Sequence, residues 1–186
     1  MDDSVKAAMG KWPNVPACYG WLGLDRRGQW RLQGETVRHA GLEAFLNRNY
    51  GHDNAGNWFA QNGPQKVYVA LDYTPWVLRL KDEHTLVTHT GLAVANIEQA
   101  FFDEEGNLLL VCEHGPALAD DRDLPALLAR IVDDQGQPAA EADLLALMEG
   151  AALPLQLRWQ ERSIPLRPLK RAEVAVRFGF IPAPAP

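Results

Sequence analysis

The chain has 186 residues, of which 47% are hydrophobic, enough to bury one ordinary core or two small ones. Residues 1–102 carry ten acids and ten bases, residues 103–149 carry twelve acids and two bases, and residues 150–186 carry two acids and six bases. The acidic middle repels phosphate backbones and the final basic excess is spread over predicted strands, which argues against a nucleic-acid partner. Solvated acidic helix faces explain the middle segment, with a partner-binding acidic surface as the alternative.

Two isolated cysteines and the N-terminal residues indicate the compartment. Cys18 and Cys112 have no CxxC spacing and no tract of nearby His residues, which predicts reduced thiols and neither a zinc site nor a disulfide framework. The N-terminus has no apolar centre of a signal peptide, and no stretch is apolar for long enough to span a bilayer. We therefore expect a cytoplasmic protein with no membrane partner, metal or other cofactor.

The first predicted element is a helical arm over residues 1–16. Asp3 or Ser4 can cap the helix, and Trp12-Pro13 is the predicted stop.

A first unit is predicted over residues 17–92. Its opening hairpin turns at Asp25-Arg26-Arg27-Gly28, and a helix follows from Val37 to the stop at 51–56, with Leu42 and Phe45 on its apolar face. Alternating patterns then predict further strands at 57–60, 67–71, 76–80 and 85–90.

A second, diverged copy is predicted over residues 93–181. The sequence LGLDRRGQWRLQ at 22–33 matches AFFDEEGNLLLV at 100–111, and a second helix with Pro125 in its first turn again ends at an Asp-rich stop. An added helix is expected at 139–148, and two strands follow at 153–160 and 164–169. Residues 164–170 resemble residues 75–81. A last strand is expected at 173–180 and a flexible Pro/Ala tail at 182–186.

These patterns predict an α+β fold with an internal duplication. It would comprise two similar units of antiparallel, barrel-like β-sheet, each with a packed helix.

A series of turn and core residues also resembles a proteobacterial family of domains of unknown function. The similarity is best over residues 18–80, and the residues that carry it are Trp30, Gly34, the helix to Tyr50, Gly56 before Trp58, Gly63-Pro64, Val67, Val69 and Pro75-Trp76. The resemblance implies an α+β protein with repeated motifs and no assigned activity, for which ligand binding or signalling has been suggested. It supplies no catalytic residue.

Several chemistries are disfavoured by the motifs. Ser4 and Ser163 lie outside any G-x-S-x-G elbow, and no phosphate-binding glycine loop is present. Cys112 ends a very apolar strand, where burial would suppress its thiolate. No His or carboxylate spacing brings metal ligands to one face.

One polar and aromatic cluster remains as the candidate ligand site. It combines a cation, amides, an imidazole and aromatic rings, the groups that orient a small polar ligand: Arg48, Asn49, Tyr50, His52, Asp53, Trp58, Gln61 and Asn62. The alternative interpretation is that these residues form a helix stop, a turn and part of the core.

The sequence therefore predicts a non-enzymatic cytoplasmic module that binds a small polar ligand, a protein partner or a second copy of itself, with signalling as one such role. The alternative is an enzyme that uses His52 and Asp53 as an acid–base pair on a small polar substrate.

Overall fold

The computed structural model describes residues 1–11 and 15–186, which divide into two units. The first unit comprises Met1–Pro75, His89–Gly91 and Gly179–Pro186, and the second comprises Trp76–Thr88 and Leu92–Phe178. The predicted helix stop at Trp12-Pro13 lies outside the described residues.

The first unit is a mixed sheet with helices. Its helices are α1 (Asp3–Lys11) and α2 (Ala40–Asn49). Its strands are β1 (Cys18–Leu24), β2 (Trp30–Leu32), β3 (Glu35–Thr36), β4 (Tyr50–His52), β5 (Trp58–Asn62) and β6 (Gln65–Leu71). They lie in the order β3-β2-β1-β6-β5-β4, and β1 and β6 run parallel.

The second unit is a larger mixed sheet. Its strands are β7 (Trp76–Asp82), β8 (Thr85–Thr88), β9 (Ala93–Val94), β10 (Ile97–Phe102), β11 (Leu108–Cys112), β12 (Gly115–Ala119), β13 (Ile131–Val132), β14 (Gln156–Trp159) and β15 (Arg162–Pro168). Its helices are α3 (Leu124–Leu128), α4 (Glu141–Met148) and α5 (Arg171–Phe178). The strand order is β13-β14-β15-β10-β11-β12-β7-β8-β9.

The strand order confirms the internal duplication. Strands β10 to β15 repeat the neighbour relations of β1 to β6, including the parallel pair β10/β15 that corresponds to β1/β6. The predicted α+β class is therefore correct, but the units are not purely antiparallel. In each copy the first strand pairs in parallel with the last, as β1 with β6 and β10 with β15, because the helix-containing crossover returns the chain to the same end of the sheet.

One turn recurs four times in the described chain and explains much of the repeated sequence. In each turn an aspartate carboxylate accepts the N–H groups two and four residues later, at 2.8–3.0 Å, and a glycine three residues later has a positive φ that side-chain-bearing residues avoid. The four pairs are Asp25 and Gly28, Asp53 and Gly56, Asp103 and Gly106, and Asp133 and Gly136.

The predicted unit boundary at 92/93 differs from the structure. Strand β7 pairs in parallel with β12, so Trp76–Thr88 belongs to the second unit. The proposed match of 75–81 with 164–170 is wrong for the same reason, because β15 occupies the position of β6 and not of β7.

The predicted last strand over 173–180 is also wrong. The segment is helical, as α5, with Val174 buried and the ring of Phe178 5.9 Å from that of Phe101. Val176, between these two residues, is 86% exposed. Val174 and Phe178 are four residues apart, which places them on the same side of a helix. Apolar residues at 174, 176 and 178 also fit an alternating strand, so this short pattern cannot distinguish a helix from a strand.

The chain end is anchored at its start. Ile181 donates its N–H to Gly56 O at 2.9 Å, and Leu71 donates to Pro182 O at 2.7 Å. The predicted tail at 182–186 is therefore tied to β6 at its first residue. Within residues 1–11 and 15–186, no helix has the length and apolar character required to cross a membrane.

Candidate functional site

The end of α2 and the start of β4 place Arg48 and Asn49 against the N-terminus of the same chain. Arg48 Nε lies 3.1 Å from Asp2 Oδ1, and the Asp2 N–H donates to Asn49 Oδ1 at 2.8 Å. Asn49, which is 1% exposed, also donates from Nδ2 to Phe45 O at 3.0 Å. Hydrogen bonds from Arg48 and Asn49 lower the pKa of Asp2. Both predicted ligand-binding groups thus bind Asp2.

Tyr50 and Trp58 belong to an aromatic cluster. The Tyr50 ring lies 4.9 Å from Trp58, 5.1 Å from Trp30 and 5.6 Å from His89. The Tyr50 hydroxyl donates to Pro75 O at 2.9 Å, and burial raises the pKa of Tyr50 well above its usual value. This packing supports the interpretation of the aromatic residues as core of the first unit.

His89 is a member of this cluster that the sequence did not single out. Its ring is 5.5 Å from Trp30, and its Nε2 is buried. Burial lowers the pKa of His89 to about 3, against a smaller opposite effect of Asp25. A lone His between two threonines carries no signal that would place it beside aromatic rings from other elements.

His52 and Asp53 do not form the side-chain pair that the enzyme hypothesis requires. His52 Nδ1 is 3.1 Å from the backbone oxygen of Asp53, whereas the Asp53 carboxylate accepts the N–H groups of Ala55 and Asn57, each at 3.0 Å. Burial raises the pKa of Asp53, but hydrogen bonds from Asn57, Ala55 and Tyr68 outweigh it and lower the pKa overall. The carboxylate therefore shapes a turn and is oriented away from the imidazole.

Gln61 and Asn62 lie on opposite faces of β5. Gln61 is 1% exposed and donates from Nε2 to Gly63 O at 2.9 Å, while its Oε1 is buried with no hydrogen-bond partner among the described residues. Asn62 is exposed and lines a cavity together with Ala60, because alternate residues of a strand share a face.

This cavity lies between α2 and one face of the first sheet. Its volume is about 360 Å³. Helix α2 supplies Leu42, Phe45 and Leu46, whose spacing of three and four residues places them on one side of the helix. Apart from the Asn62 amide, the described lining residues are apolar: Leu22, Leu32, Val37, Leu42, Phe45, Leu46, Ala60 and Val67. Leu32 and Leu42 are 43% and 36% exposed, so the apolar cavity opens to solvent.

The model of the family DUF2944, described as "Protein of unknown function (DUF2946)", matches residues 1–185. The chain belongs to the DUF2944 family. The expected membership in a family without an assigned activity is confirmed.

One of two similar solved structures shows the fold of the DUF2944 chain, with a TM-score above 0.5. A DUF1285 family protein from Silicibacter pomeroyi DSS-3 is 16% identical, with 83% of this chain and 84% of that chain covered and a TM-score of 0.55. A DUF1285 family protein from Shewanella baltica OS155 is 15% identical, with 55% and 86% covered and a TM-score of 0.42. A comparison with curated proteins gives no significant match.

The residues of the predicted site thus contact different parts of the first unit. The rings of Tyr50, His52 and Trp58 pack together, with the His52 ring 4.8 Å from that of Trp58. Arg48 and Asn49 instead contact Asp2 near the N-terminus. No group of three or more His, Cys, Asp or Glu in the described parts of the chain could hold a metal ion. The described part of the first unit has an accessible apolar cavity with an amide at its edge.

Proposed function

We propose that this protein is a non-enzymatic cytoplasmic module that binds a small, mainly apolar ligand between α2 and the first sheet. The observation that carries the proposal is the open cavity of about 360 Å³ with its apolar lining. Ligand pockets typically measure about 300–1,000 Å³ and combine apolar walls with few polar groups. The sequence predicted a small polar ligand, but apart from Asn62 the polar side chains expected to bind it make contacts within the chain.

The chemistry of the lining defines the ligand class. A chain or ring of roughly eight carbons would gain about 0.8 kcal/mol per buried methylene, before the entropy lost on binding is subtracted. Asn62 can donate to or accept from one polar group at the ligand's end. The ligand we expect is therefore a medium-length carbon skeleton with one carboxyl, carbonyl or hydroxyl group.

The cytoplasmic part of the proposal is supported by the thiols. Cys18 and Cys112 are both free, as suits a reducing compartment, and burial raises the pKa of Cys112, so its thiol stays protonated and unreactive near neutral pH.

Displacement of the fluorescent probe N-phenyl-1-naphthylamine by carboxylic acids and alcohols of six to twelve carbons tests the proposal. Leu42→Glu places a charge at the cavity mouth, and we expect it to weaken binding at least about tenfold, because a buried carboxylate beside an apolar ligand is strongly unfavourable. Leu92→Glu is the matched control, since Leu92 is a 46% exposed leucine in the second unit. Equal binding by both variants, or no binding to the folded protein, would contradict the proposal.

A further inference from the structure

The second copy contains helices that the first copy lacks. In the first copy, a short turn joins β4 to β5, whereas α4 is inserted between β13 and β14. Helix α5 follows β15, whereas a strand of the second sheet follows β6. Features built from α4 and α5 are therefore specific to the second unit.

These added helices line an open cavity of about 800 Å³ in the second unit. It lies between the C-terminal half of α4, the turn after β10 and the junction of β15 with α5. Its described lining residues are Phe102, Glu104, Leu145, Met148, Glu149, Gly150, Pro168, Leu169, Lys170 and Glu173.

The floor of this cavity is apolar. Phe102 and Leu169 are buried, at 3% and 6% exposure. Leu145 and Met148 are three residues apart and share one side of α4. In α4, Leu147 is buried but Leu145 is 52% exposed. The helix therefore presents a large apolar side chain to solvent within a concave surface.

The rim of the cavity is acidic. Its described lining residues include three acids, Glu104, Glu149 and Glu173, and one cation, Lys170. The Glu104 carboxylate accepts the Arg171 N–H at 2.9 Å, which fixes its position without neutralising its charge. The carbonyl groups at the C-terminus of α4 add negative potential beside Glu149.

We propose that this cavity is a docking site for a basic, amphipathic peptide segment of a partner protein. An apolar side chain of the segment packs on Leu145 and Met148, and its Lys or Arg residues lie against Glu149 and Glu173. Acidic rim and apolar floor together select this chemistry, because a purely polar cation leaves the floor exposed and an acidic segment is repelled. The site lies in the second unit and is independent of the ligand cavity proposed above.

Fluorescence anisotropy with model peptides tests this inference. The probe is a labelled helical peptide of Leu and Lys with apolar residues at three- and four-residue spacing, compared with versions in which Glu replaces Lys or Ala replaces Leu. We expect the Leu/Lys peptide to bind at least about tenfold more tightly than either variant peptide, and its affinity to fall with added salt.

Charge-reversed proteins locate the binding. The double variant Glu149→Lys/Glu173→Lys should weaken binding of the Leu/Lys peptide at least about tenfold, and Leu145→Ser about fivefold. Glu161→Lys, an exposed acid on the turn between β14 and β15, is the matched control and should change binding by less than about twofold. These residues are exposed, so the variants should fold.

Three results of the peptide measurements would overturn the inference. They are equal loss of affinity in Glu161→Lys, equal binding of the acidic peptide, and no binding of any peptide. Sedimentation of the free protein as a dimer that Glu149→Lys/Glu173→Lys dissociates would also overturn it, in favour of a second copy of this chain as the occupant.

Discussion

A neutral, largely enclosed imidazole in the first unit makes stability depend on pH. His89 has a pKa of about 3 in the folded protein and about 6.5 when unfolded. Between these values the unfolded chain binds the proton more strongly, so the free energy of unfolding falls as pH falls from about 6.5 toward 3, by up to about 1.4 kcal/mol per pH unit. Asp25, the acid that acts on His89, reduces this dependence without reversing it.

Urea unfolding at pH 7 and pH 5 measures this effect. We expect the wild-type protein to lose about 1–2 kcal/mol more than His89→Gln between the two pH values. His84→Gln, at an exposed position, should retain the wild-type dependence. An identical loss in wild type and His89→Gln would show that this imidazole does not control acid stability.

At the level of single residues, the sequence could predict which side chains are unusual but not what each contacts. The helix stop, the aromatic strand and the Asp-Gly turns follow from local chemistry, so Asp53 could have been assigned to its turn by comparison with Asp133. The contact of Arg48 with Asp2 joins residues 46 positions apart, and that of Trp30 with His89 depends on the folded sheet. Such pairings have no local signal.

At the level of elements, the C-terminal segment packs against the turn between β4 and β5. A Cβ at Gly56 would overlap the carbonyl oxygen of Gly179. One residue further along the turn, Asn57 forms a parallel β-bridge with Ile181. Gly56 also has a φ of +85°. Two separable penalties, steric overlap and backbone strain, therefore act on any side chain at this position.

The two penalties can be separated by comparing Gly56→Ala with Gly34→Ala. Gly34 has a φ of +87°, but a Cβ there would meet nothing within 4 Å. We expect Gly34→Ala to cost about 1–2 kcal/mol of unfolding free energy from backbone strain, and Gly56→Ala to cost more than about 3 kcal/mol because the chain end must also move. Chemical denaturation measures both values. Equal losses would mean that the C-terminal segment yields without cost.

At the level of the whole molecule, the duplication was visible in sequence because it lies in turns and helix stops, which local chemistry specifies. The place of β7 in the second sheet was not visible, because an alternating strand carries no signal that identifies its partner. Its pairing with β12 joins Trp76 to Ala117, and the Trp76 indole donates to His114 O at 2.7 Å. Repeat matching therefore identified the copies and misplaced the boundary between them.

The boundary itself can be tested with two fragments, 76–178 and 93–178. The longer fragment keeps β7, whose Arg79 lies 2.7 Å from Asp123 and 3.6 Å from the fully buried Asp120. The shorter fragment removes this cation from the two carboxylates and exposes the edge of β12, which favours association between chains. We expect 76–178 to be monomeric with a cooperative thermal transition, and 93–178 to aggregate or unfold at a lower temperature, as measured by circular dichroism and size-exclusion chromatography. A fragment 93–178 as stable and monomeric as 76–178 would place the boundary where the sequence repeat predicted it.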